Sequence, residues 1–342
     1  MSIPRMVMFL RMDSRQIASL RTLLELLFII VFFLPMVPPL YAQDWVALHG
    51  LTSSEFQQEF NNLVGQGYRL KDLSGYAVDN SARYAAIWDK TTGSAWEARH
   101  GLTSSEFQQE FNNLVGQGYR LTRINGYEVG GIVYFAAIWE NKLGPAWEAR
   151  YGLTSSEYQQ EFNNLIGQGY RLIWVSGYSQ GTEARYAAIW DKTTGSAWEA
   201  RHGLTSPEYQ QEFNNLVIED YRLTCVSGYT VSGQDYYAAI WEQTDGPGWV
   251  ARHGILAADY QVVFDQIVSQ GYVPVQVDGY SGDGSGRFAA TWVLPGTSCW
   301  LAGGLDGDCD VDGSDLALLV ANTDLWDLSV FAVNFGKLAN SQ

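Results

Sequence analysis

Five aspartates lie within ten residues near the C-terminal end of the chain, and they are the residues best suited to bind a metal. They are Asp306, Asp308, Asp310, Asp312 and Asp315. Hard cations such as Ca²⁺ prefer carboxylate oxygens, and alternate positions of one loop can direct such oxygens at a single ion. With Asp315 as position 12 of a calcium loop, the other four aspartates fall at positions 3, 5, 7 and 9. The spacing therefore predicts a Ca²⁺ site.

Two residues of this segment depart from the usual calcium loop. Gly304 stands at position 1, where aspartate is usual, and Cys309 stands at position 6, where glycine makes the turn. A register that starts at Asp308 restores Gly313 at position 6 but places two leucines at ligand positions. We therefore favour the first register, and the alternative for the whole segment is a solvated acidic turn.

The acidic loop and the apolar residues after it resemble a bacterial dockerin-like or EF-hand-like module. The similar text is D-G-D-C-D-V-D-G-S-D-L-A-L-L-V-A, followed by D-L-S-V-F-A-V-N-F-G. The resemblance implies a small helical C-terminal module over residues 296–342 that docks onto a cohesin-like partner in the presence of Ca²⁺. A second calcium loop is missing, and Asn322, Asp324 and Asp327 are at most its remnant.

The histidines form a second group of candidate site residues, because all four occupy the same position of an internal repeat. They are His49, His100, His202 and His253, with Tyr151 at that position in the third copy. One interpretation is a ladder of imidazoles along a groove that binds a ligand, together with the neighbouring Arg99, Arg201 and Arg252. The other is a strand residue that is hydrogen-bonded to the next unit. A metal role is disfavoured because no second ligand type recurs at a matching position.

The repeat itself has a period of 51 residues, marked by Trp45, Trp96, Trp147, Trp198 and Trp249. The units are residues 45–95, 96–146, 147–197, 198–248 and 249–295 within a repeat region of 43–295. A fixed period of this size is typical of modular arrays, in which neighbouring units bury a shared core.

The second unit shows how each copy should fold. Alternation in W-E-A-R-H predicts a strand, and Thr103 with Glu106 forms a capping box that predicts the start of a helix. Phe107, Phe111 and Leu114 follow at helical spacing, and Gly118 suits the left-handed residue that ends a helix. The constant span from G-Y to A-A-I-W around a variable tip predicts a β-hairpin. Each unit is therefore predicted to be β-α-β-β.

This pattern predicts an α+β repeat protein whose strands form a curved antiparallel sheet or half-barrel, with the helices on one side. A helix in each unit counts against a β-propeller, whose blades have four strands. Five units could close into a ring or form an open arc. We favour the open arc, because the divergent fifth copy is typical of a capping unit.

The text W-E-A-R-H-G-L-T-S, with G-Y-R-L, V-S-G-Y and Y-A-A-I-W, resembles the bacterial tandem repeat domain 1 family. Members of that family form the N-terminal part of the polyglycine hydrolases, where the repeats look like a half-barrel of antiparallel strands and a separate serine-hydrolase domain performs the chemistry. That domain carries an S-x-x-K motif, which this chain lacks. The resemblance thus implies a binding or scaffolding role and supplies no catalytic residues.

The N-terminal residues and the charge bear on location. Residues 1–42 contain four arginines, an apolar stretch and Leu40 with Ala42 at cleavage-site spacing, which predicts a signal peptide; the alternative is an uncleaved membrane anchor. A net charge of −16 argues against nucleic-acid binding. Export permits a disulfide between Cys299 and Cys309, while Cys225 is predicted to be a lone thiol.

The combined prediction is a secreted or cell-surface, non-enzymatic repeat protein that binds an extracellular protein or polymer and does not remain in the membrane after signal cleavage. The H-E-x-x-H and G-x-x-x-x-G-K motifs do not occur in the sequence. The alternative is an accessory subunit or divergent hydrolase acting on extracellular peptide or glycan. A third interpretation is a purely structural surface-array protein.

Overall fold

The computed structural model describes residues 45–282 and 284–295, so the predicted signal peptide, calcium loop and Cys299–Cys309 pair lie outside the described residues. Every unit has the predicted order β-α-β-β. The elements are β1 Trp45–Leu51, α1 Ser53–Gly65, β2 Arg69–Val78 and β3 Ser81–Asp89 in unit 1; β4 Trp96–Thr103, α2 Ser104–Gly116, β5 Arg120–Val129 and β6 Ile132–Glu140 in unit 2; β7 Trp147–Leu153, α3 Ser155–Gly167, β8 Arg171–Gln180 and β9 Glu183–Asp191 in unit 3; β10 Trp198–Thr205, α4 Ser206–Ile218, β11 Arg222–Val231 and β12 Gln234–Glu242 in unit 4; and β13 Trp249–Leu256, α5 Ala257–Ser269, β14 Val273–Tyr280 and β15 Arg287–Val293 in unit 5.

The capping box that predicted the helix start is present. The Thr103 side chain accepts from the Glu106 backbone N–H, and Glu106 Oε2 accepts from the Thr103 N–H at 2.8 Å. The helix ends before Gly118, whose φ of 87° is the left-handed conformation that glycine adopts without strain. The predicted helix boundaries in unit 2 are therefore confirmed.

Each unit has its own three-stranded antiparallel sheet, in which the third strand lies between the first and the second. This central strand carries A-A-I-W, and its tryptophans have no exposed surface in any unit. Tryptophan on a strand between two neighbours buries a large apolar area. The five tryptophans are Trp88, Trp139, Trp190, Trp241 and Trp292. They are core residues.

The five sheets remain separate, so the expectation that the strands share one continuous sheet is wrong. The second strand of each unit instead lies beside the second strand of the next unit, and β14 of unit 5 lies beside β2 of unit 1. The Val277 N–H donates to Asp72 Oδ2 at 2.8 Å, and the Gly279 N–H donates to Ser74 Oγ at 2.9 Å. The units thus close into a ring.

Ring closure overturns the preference for an open arc, while the α+β repeat class is confirmed. The divergent fifth unit keeps the glycine, tyrosine and histidine that meet its neighbours, so divergence did not remove its contact surface. A closed ring leaves no unit with an uncovered face, which removes the need for a cap. In the part of the chain that the structure describes, no helix is long and apolar enough to cross a membrane.

Candidate functional site

The predicted histidine ladder lies at the junctions between units. His100, His202 and His253 each place Nε2 at 3.0–3.1 Å from the first helical serine of the preceding unit, namely Ser53, Ser155 and Ser206. His49 reaches Gln261 Oε1 at 3.0 Å across the closing junction. Tyr151 replaces histidine in unit 3 and donates to Gln108 Oε1 at 2.8 Å. Each side chain at this position thus connects two neighbouring units.

Aromatic packing holds these imidazoles in place. His202 makes edge contacts with Tyr158 and Tyr186 of the preceding unit, at centroid distances of 4.7 and 5.1 Å. Burial lowers the pKa of His202 and of His100, and burial with the nearby Arg252 lowers that of His253 to about 4. Among the described residues, no three His, Cys, Asp or Glu side chains are grouped to hold a metal ion.

Replacing His202 separates the two interpretations of the ladder. We expect His202→Ala to lower the free energy of unfolding by about 1–2 kcal/mol, because it removes a hydrogen bond and aromatic packing at one junction. We expect His202→Tyr to cost less than half as much, because Gln159 stands where Gln108 accepts the Tyr151 hydroxyl. Chemical denaturation of both variants measures this difference. Equal losses would show that the imidazole itself is needed at this position.

The predicted arginines lie beside acidic side chains of their own units. Arg99 Nη1 lies 2.8 Å from Glu97 and its Nε 3.2 Å from Glu110, and Arg201 repeats both contacts with Glu199 and Glu212. Arg252 differs, because Val250 replaces the strand glutamate in unit 5, and it donates to the Ala251 carbonyl at 2.8 Å. Half-exposed ion pairs of this kind contribute about 0–1 kcal/mol each.

A second set of contacts at the junctions involves the tryptophan that begins each unit. Trp198 packs against Phe162 of the preceding helix at 5.9 Å, and the Arg171 guanidinium lies 5.8 Å from its ring centre. Arg171 Nη2 also lies 3.0 Å from Glu242 of unit 4. The cation–π contact recurs at the next junction on either side, with Arg120 over Trp147 and Arg222 over Trp249. These repeated residues therefore bind units to one another.

The ring axis carries polar residues that the sequence analysis did not identify as a site. We call the glycine of each G-Y pair the axial glycine. The residue before it accepts a hydrogen bond from the N–H of the axial glycine in the preceding unit. Five such hydrogen bonds run around the axis. The acceptors are Asn125, Ser176, Ser227, Asp278 and Ser74, at 2.7–3.1 Å from Gly75, Gly126, Gly177, Gly228 and Gly279. All five acceptor side chains are buried.

Two residues before each of these acceptors, on the same strand, another side chain approaches the axis, and it is of a different type in each of the five units. Trp174 Nε1 donates to the Ile124 carbonyl at 2.7 Å, and Gln276 bonds both the N–H and the carbonyl of Val226. Cys225 is fully buried and free, as predicted, and burial raises the pKa of its thiol to about 12. The remaining two are Asp72 and Arg123.

Two carboxyl groups are buried in this axial region. Burial raises the pKa of Asp72 to about 6, although Arg123 lies 3.8 Å away and opposes that rise. Burial also raises the pKa of Asp278 well above its usual value, and Asp72 adds a like charge. Asp278 Oδ1 accepts from Asn125 Nδ2 at 3.2 Å, which connects unit 5 to unit 2 across the axis.

The hairpin tips surround one end of this axis. A cavity of about 20 Å³, enough for about one water molecule, is lined by the axial Gly-Tyr pairs of all five units and by the residues that follow them toward the tips. Neighbouring tips touch: the Asp79 N–H donates to the Gly284 carbonyl at 3.2 Å, and the Gly181 N–H donates to Glu128 at 2.7 Å. We call this surface of contiguous hairpin tips the tip face.

An open cleft lies at the outer side of the junction between units 3 and 4. It is lined by Thr154, Ser155, Ser156, Gln159, Glu183, Ala184, Arg185 and His202. Ser155 Oγ and His202 Nε2 face each other there at 3.1 Å. The cleft therefore combines a hydroxyl group, an imidazole and a guanidinium on one surface.

A protein family described as "polyglycine hydrolase-like, structural repeat" matches the chain in five segments, which are residues 42–91, 93–142, 144–193, 195–244 and 246–293. Each segment begins three residues before the tryptophan that marks a unit, so the predicted number and period of the repeats are confirmed. The five segments together cover most of the chain. The chain belongs to the polyglycine hydrolase-like structural repeat family.

Proposed function

We propose that the ring is a non-catalytic binding or scaffolding module of a secreted protein, attached to its partners through a Ca²⁺-dependent module at residues 296–342. The proposal rests on a difference between two parts of each unit, the recurring side chains and the hairpin tip. The side chains that recur in the repeat are engaged within the units or at the junctions between them, whereas the hairpin tips differ from copy to copy. A constant frame that presents variable loops is the usual arrangement of a binding scaffold.

The tip face is the surface that we assign to binding. Its turns are short and tight: in unit 1, Asp79 and Asn80 both have positive φ, and in unit 2 Gly130 and Gly131 do, as in the tight turns of hairpins. Contacts between neighbouring tips limit their motion further. A pre-formed surface binds with less loss of conformational entropy than a mobile one. The partner class that we propose is an extracellular protein or polymer.

The description of the matching family also supports a binding or scaffolding role. It names a structural repeat related to polyglycine hydrolases, and the matched segments are the same five units that build the ring. A structural repeat beside hydrolase chemistry fits a module that places or holds a substrate. In that case the ligand of the tip face is an extended peptide or glycan.

A second candidate function, an accessory subunit or divergent hydrolase, is favoured by one specific contact. Ser155 Oγ lies 3.1 Å from His202 Nε2 at an open cleft, and burial lowers the pKa of that imidazole, so it is neutral at pH 7, as a general base requires. Incubation with a fluorophosphonate probe tests it. Labelling of Ser155 that is lost in His202→Ala would support a hydrolase, and an unlabelled protein would favour the binding module.

Partner capture tests the proposed function. We expect the mature protein to retain a partner from the native secretome through the C-terminal module with Ca²⁺, and to lose it with chelator. Exchanging the unit 3 turn Gly181-Thr182 for the Gly130-Gly131 turn of unit 2 should alter a second, Ca²⁺-independent set of ligands. Substituting Glu148→Gln on the outer strand is the matched control for the tip face. Ligand sets that are unchanged by the tip exchange would contradict the assignment of that face.

A further inference from the structure

We propose that the C-terminal segment of the chain, residues 296–342, packs against an apolar patch on unit 5 of the ring. The unit 5 patch is defined as the side chains of Val262, Val263, Val273, Val293 and Leu294. The inference does not rest on the proposed function, because the segment can cover unit 5 whether or not it also binds Ca²⁺ or a partner.

The unit 5 patch differs from the same surface of the other four units, in which all five positions are polar. Val262 stands in place of glutamine, Val263 in place of glutamate, and Val273 in place of arginine. Val293 replaces aspartate or glutamate, and Leu294 replaces lysine, asparagine or glutamine. Single exposed aliphatic side chains are common on proteins, but the joint exchange of neighbouring polar positions indicates a surface that another apolar group covers.

The five side chains belong to one region of unit 5. Val273 and Val293 lie opposite each other on neighbouring strands, and Leu294 follows directly. Val263 and Leu294 pack against the same core, which units 5 and 1 share. Leu294 also covers the end of α5, because a Cβ atom added to Gly271 would lie 3.3 Å from its Cδ1. These strand ends are opposite the hairpin tip, so the patch lies apart from the tip face.

Packing within the ring explains only part of this apolar surface. Four side chains of the patch are half-buried, whereas Val262 is 68% exposed. The equivalent glutamines of the other four units are exposed as well, so this position faces outwards in every unit. Val262 therefore extends the apolar surface of unit 5 outwards, to where a second layer of side chains can cover it.

The chain leaves the ring at this patch. The Leu294 N–H donates to the Gly248 carbonyl at 2.8 Å, and Pro295 follows. In units 1 to 4, the residue equivalent to Leu294 is followed six positions later by the tryptophan that begins the next unit. After unit 5 that place in the ring is taken by Trp45 of unit 1, which packs against Phe264 of α5 at 5.9 Å. The C-terminal segment therefore starts beside the patch and has no further place in the ring to enter.

The sequence of the segment suits this surface. Residues 316–321 read L-A-L-L-V-A, and residues 328–335 read L-S-V-F-A-V-N-F. A segment of this length buries too little of its own apolar surface to fold without a metal, a disulfide or a surface that covers it. The stretch from 296 to 315 can span up to about 60 Å, so both apolar runs can reach the patch. Because the segment is tethered beside the patch, its local concentration there is high.

Charge and area favour this occupant over a second copy of the chain. The segment carries seven aspartates and one lysine, and the exchanges at Val263 and Val293 remove two carboxylates that would repel it. Asp265 is an added carboxylate on α5, and Gln261 donates to it at 2.7 Å. A stable dimer buries about 800 Å² on each partner, and five mostly half-buried aliphatic side chains expose far less.

Photo-cross-linking of the mature protein in the presence of Ca²⁺ tests where the segment lies. p-Benzoylphenylalanine in place of Val262 should form cross-links mainly to residues 316–335 of the same chain, because benzophenone reacts with neighbouring C–H bonds on illumination. The same probe in place of Gln211, the equivalent residue of unit 4, should give at least about tenfold less of this product, since a docked segment is concentrated at unit 5. Mass spectrometry of mixed isotope-labelled and unlabelled chains distinguishes cross-links within one chain from those between two.

Hydrogen exchange of polar variants supplies a second measurement. Val262→Gln with Val293→Glu restores the residues of unit 4 and should lower the protection of residues 316–335 at least about tenfold, because two apolar contacts are lost. Leu143→Thr is the matched control: it replaces a fully exposed side chain of unit 2 by the residue of units 1 and 3, and should change that protection less than about twofold. Cross-links confined to a second chain, equal cross-linking from positions 262 and 211, or protection that the double variant leaves unchanged would each overturn the docking.

Discussion

Replacing Gly177 by alanine should destabilise the ring by about 3 kcal/mol, near the upper end of the usual cost of overpacking. A Cβ atom on Gly177 would lie 2.3 Å from the Tyr229 ring of the next unit. Neither side can yield easily, because Gly177 belongs to a paired strand and Tyr229 is fixed by the Tyr186 hydroxyl at 2.6 Å. The same close approach of glycine and tyrosine occurs at all five junctions. Chemical denaturation with urea measures the loss.

Gly167 provides the matched control for this substitution. It ends helix α3, and a Cβ added there would meet nothing within 4 Å. Gly167→Ala should leave stability unchanged or raise it by about 0.5–1 kcal/mol, because alanine restricts the unfolded chain. In a double-mutant cycle, Tyr229→Ala should relieve part of the cost of Gly177→Ala, since the clash needs both side chains. Additive losses would show that the tyrosine ring is not the cause.

Replacing Asp308 and Asp312 together by alanine should abolish the heat of Ca²⁺ binding to the mature protein. The parent should bind one ion with a dissociation constant on the order of 10⁻⁴ M, as extracellular calcium loops do. Five aspartates within ten residues repel one another unless a cation neutralises them. Removing two of the five predicted ligands would leave too few oxygens to replace the hydration shell of the ion. Isothermal titration calorimetry measures both proteins.

A charge-matched variant makes the calcium result specific. Glu148→Gln with Glu199→Gln removes the same net charge from the ring and should leave the heat of Ca²⁺ binding unchanged. Chelator should not shift the unfolding midpoint of the ring, whose core consists of buried aromatic and aliphatic side chains. A parent protein without a binding heat, or a double aspartate variant that keeps it, would show that residues 304–315 hold no such site.

The local structure of each unit could be predicted from the sequence because it depends on neighbouring residues. Thr103 and Glu106 satisfy free N–H groups within one turn of helix, and Asp79 with Asn80 tolerates the positive φ of a tight turn. The period of 51 residues then fixes the number of units. These features led to the α+β class, the order β-α-β-β and the five repeats without reference to distant contacts.

The histidine position was also visible in the sequence, but its partner was not. His202 meets Ser155, which lies 47 residues earlier and belongs to another unit. Recurrence at one repeat position indicates that a residue is needed and does not say whether a ligand or a neighbouring unit needs it. The structure places each imidazole against a neighbouring unit, and a ligand role stays a prediction.

Only the tertiary structure decided that the array closes and which residues meet on its axis. Ser74 and Asp278 are 204 residues apart in the chain and lie 3.4 Å apart in the ring. Closure depends on how each unit packs on the next, through contacts between residues about 50 or about 200 positions apart that no local pattern encodes. Closure in turn buries Asp72 and Asp278, whose raised pKa values follow from desolvation. Sequence thus determined the unit, and the packing of one unit on the next determined the ring and its buried charges.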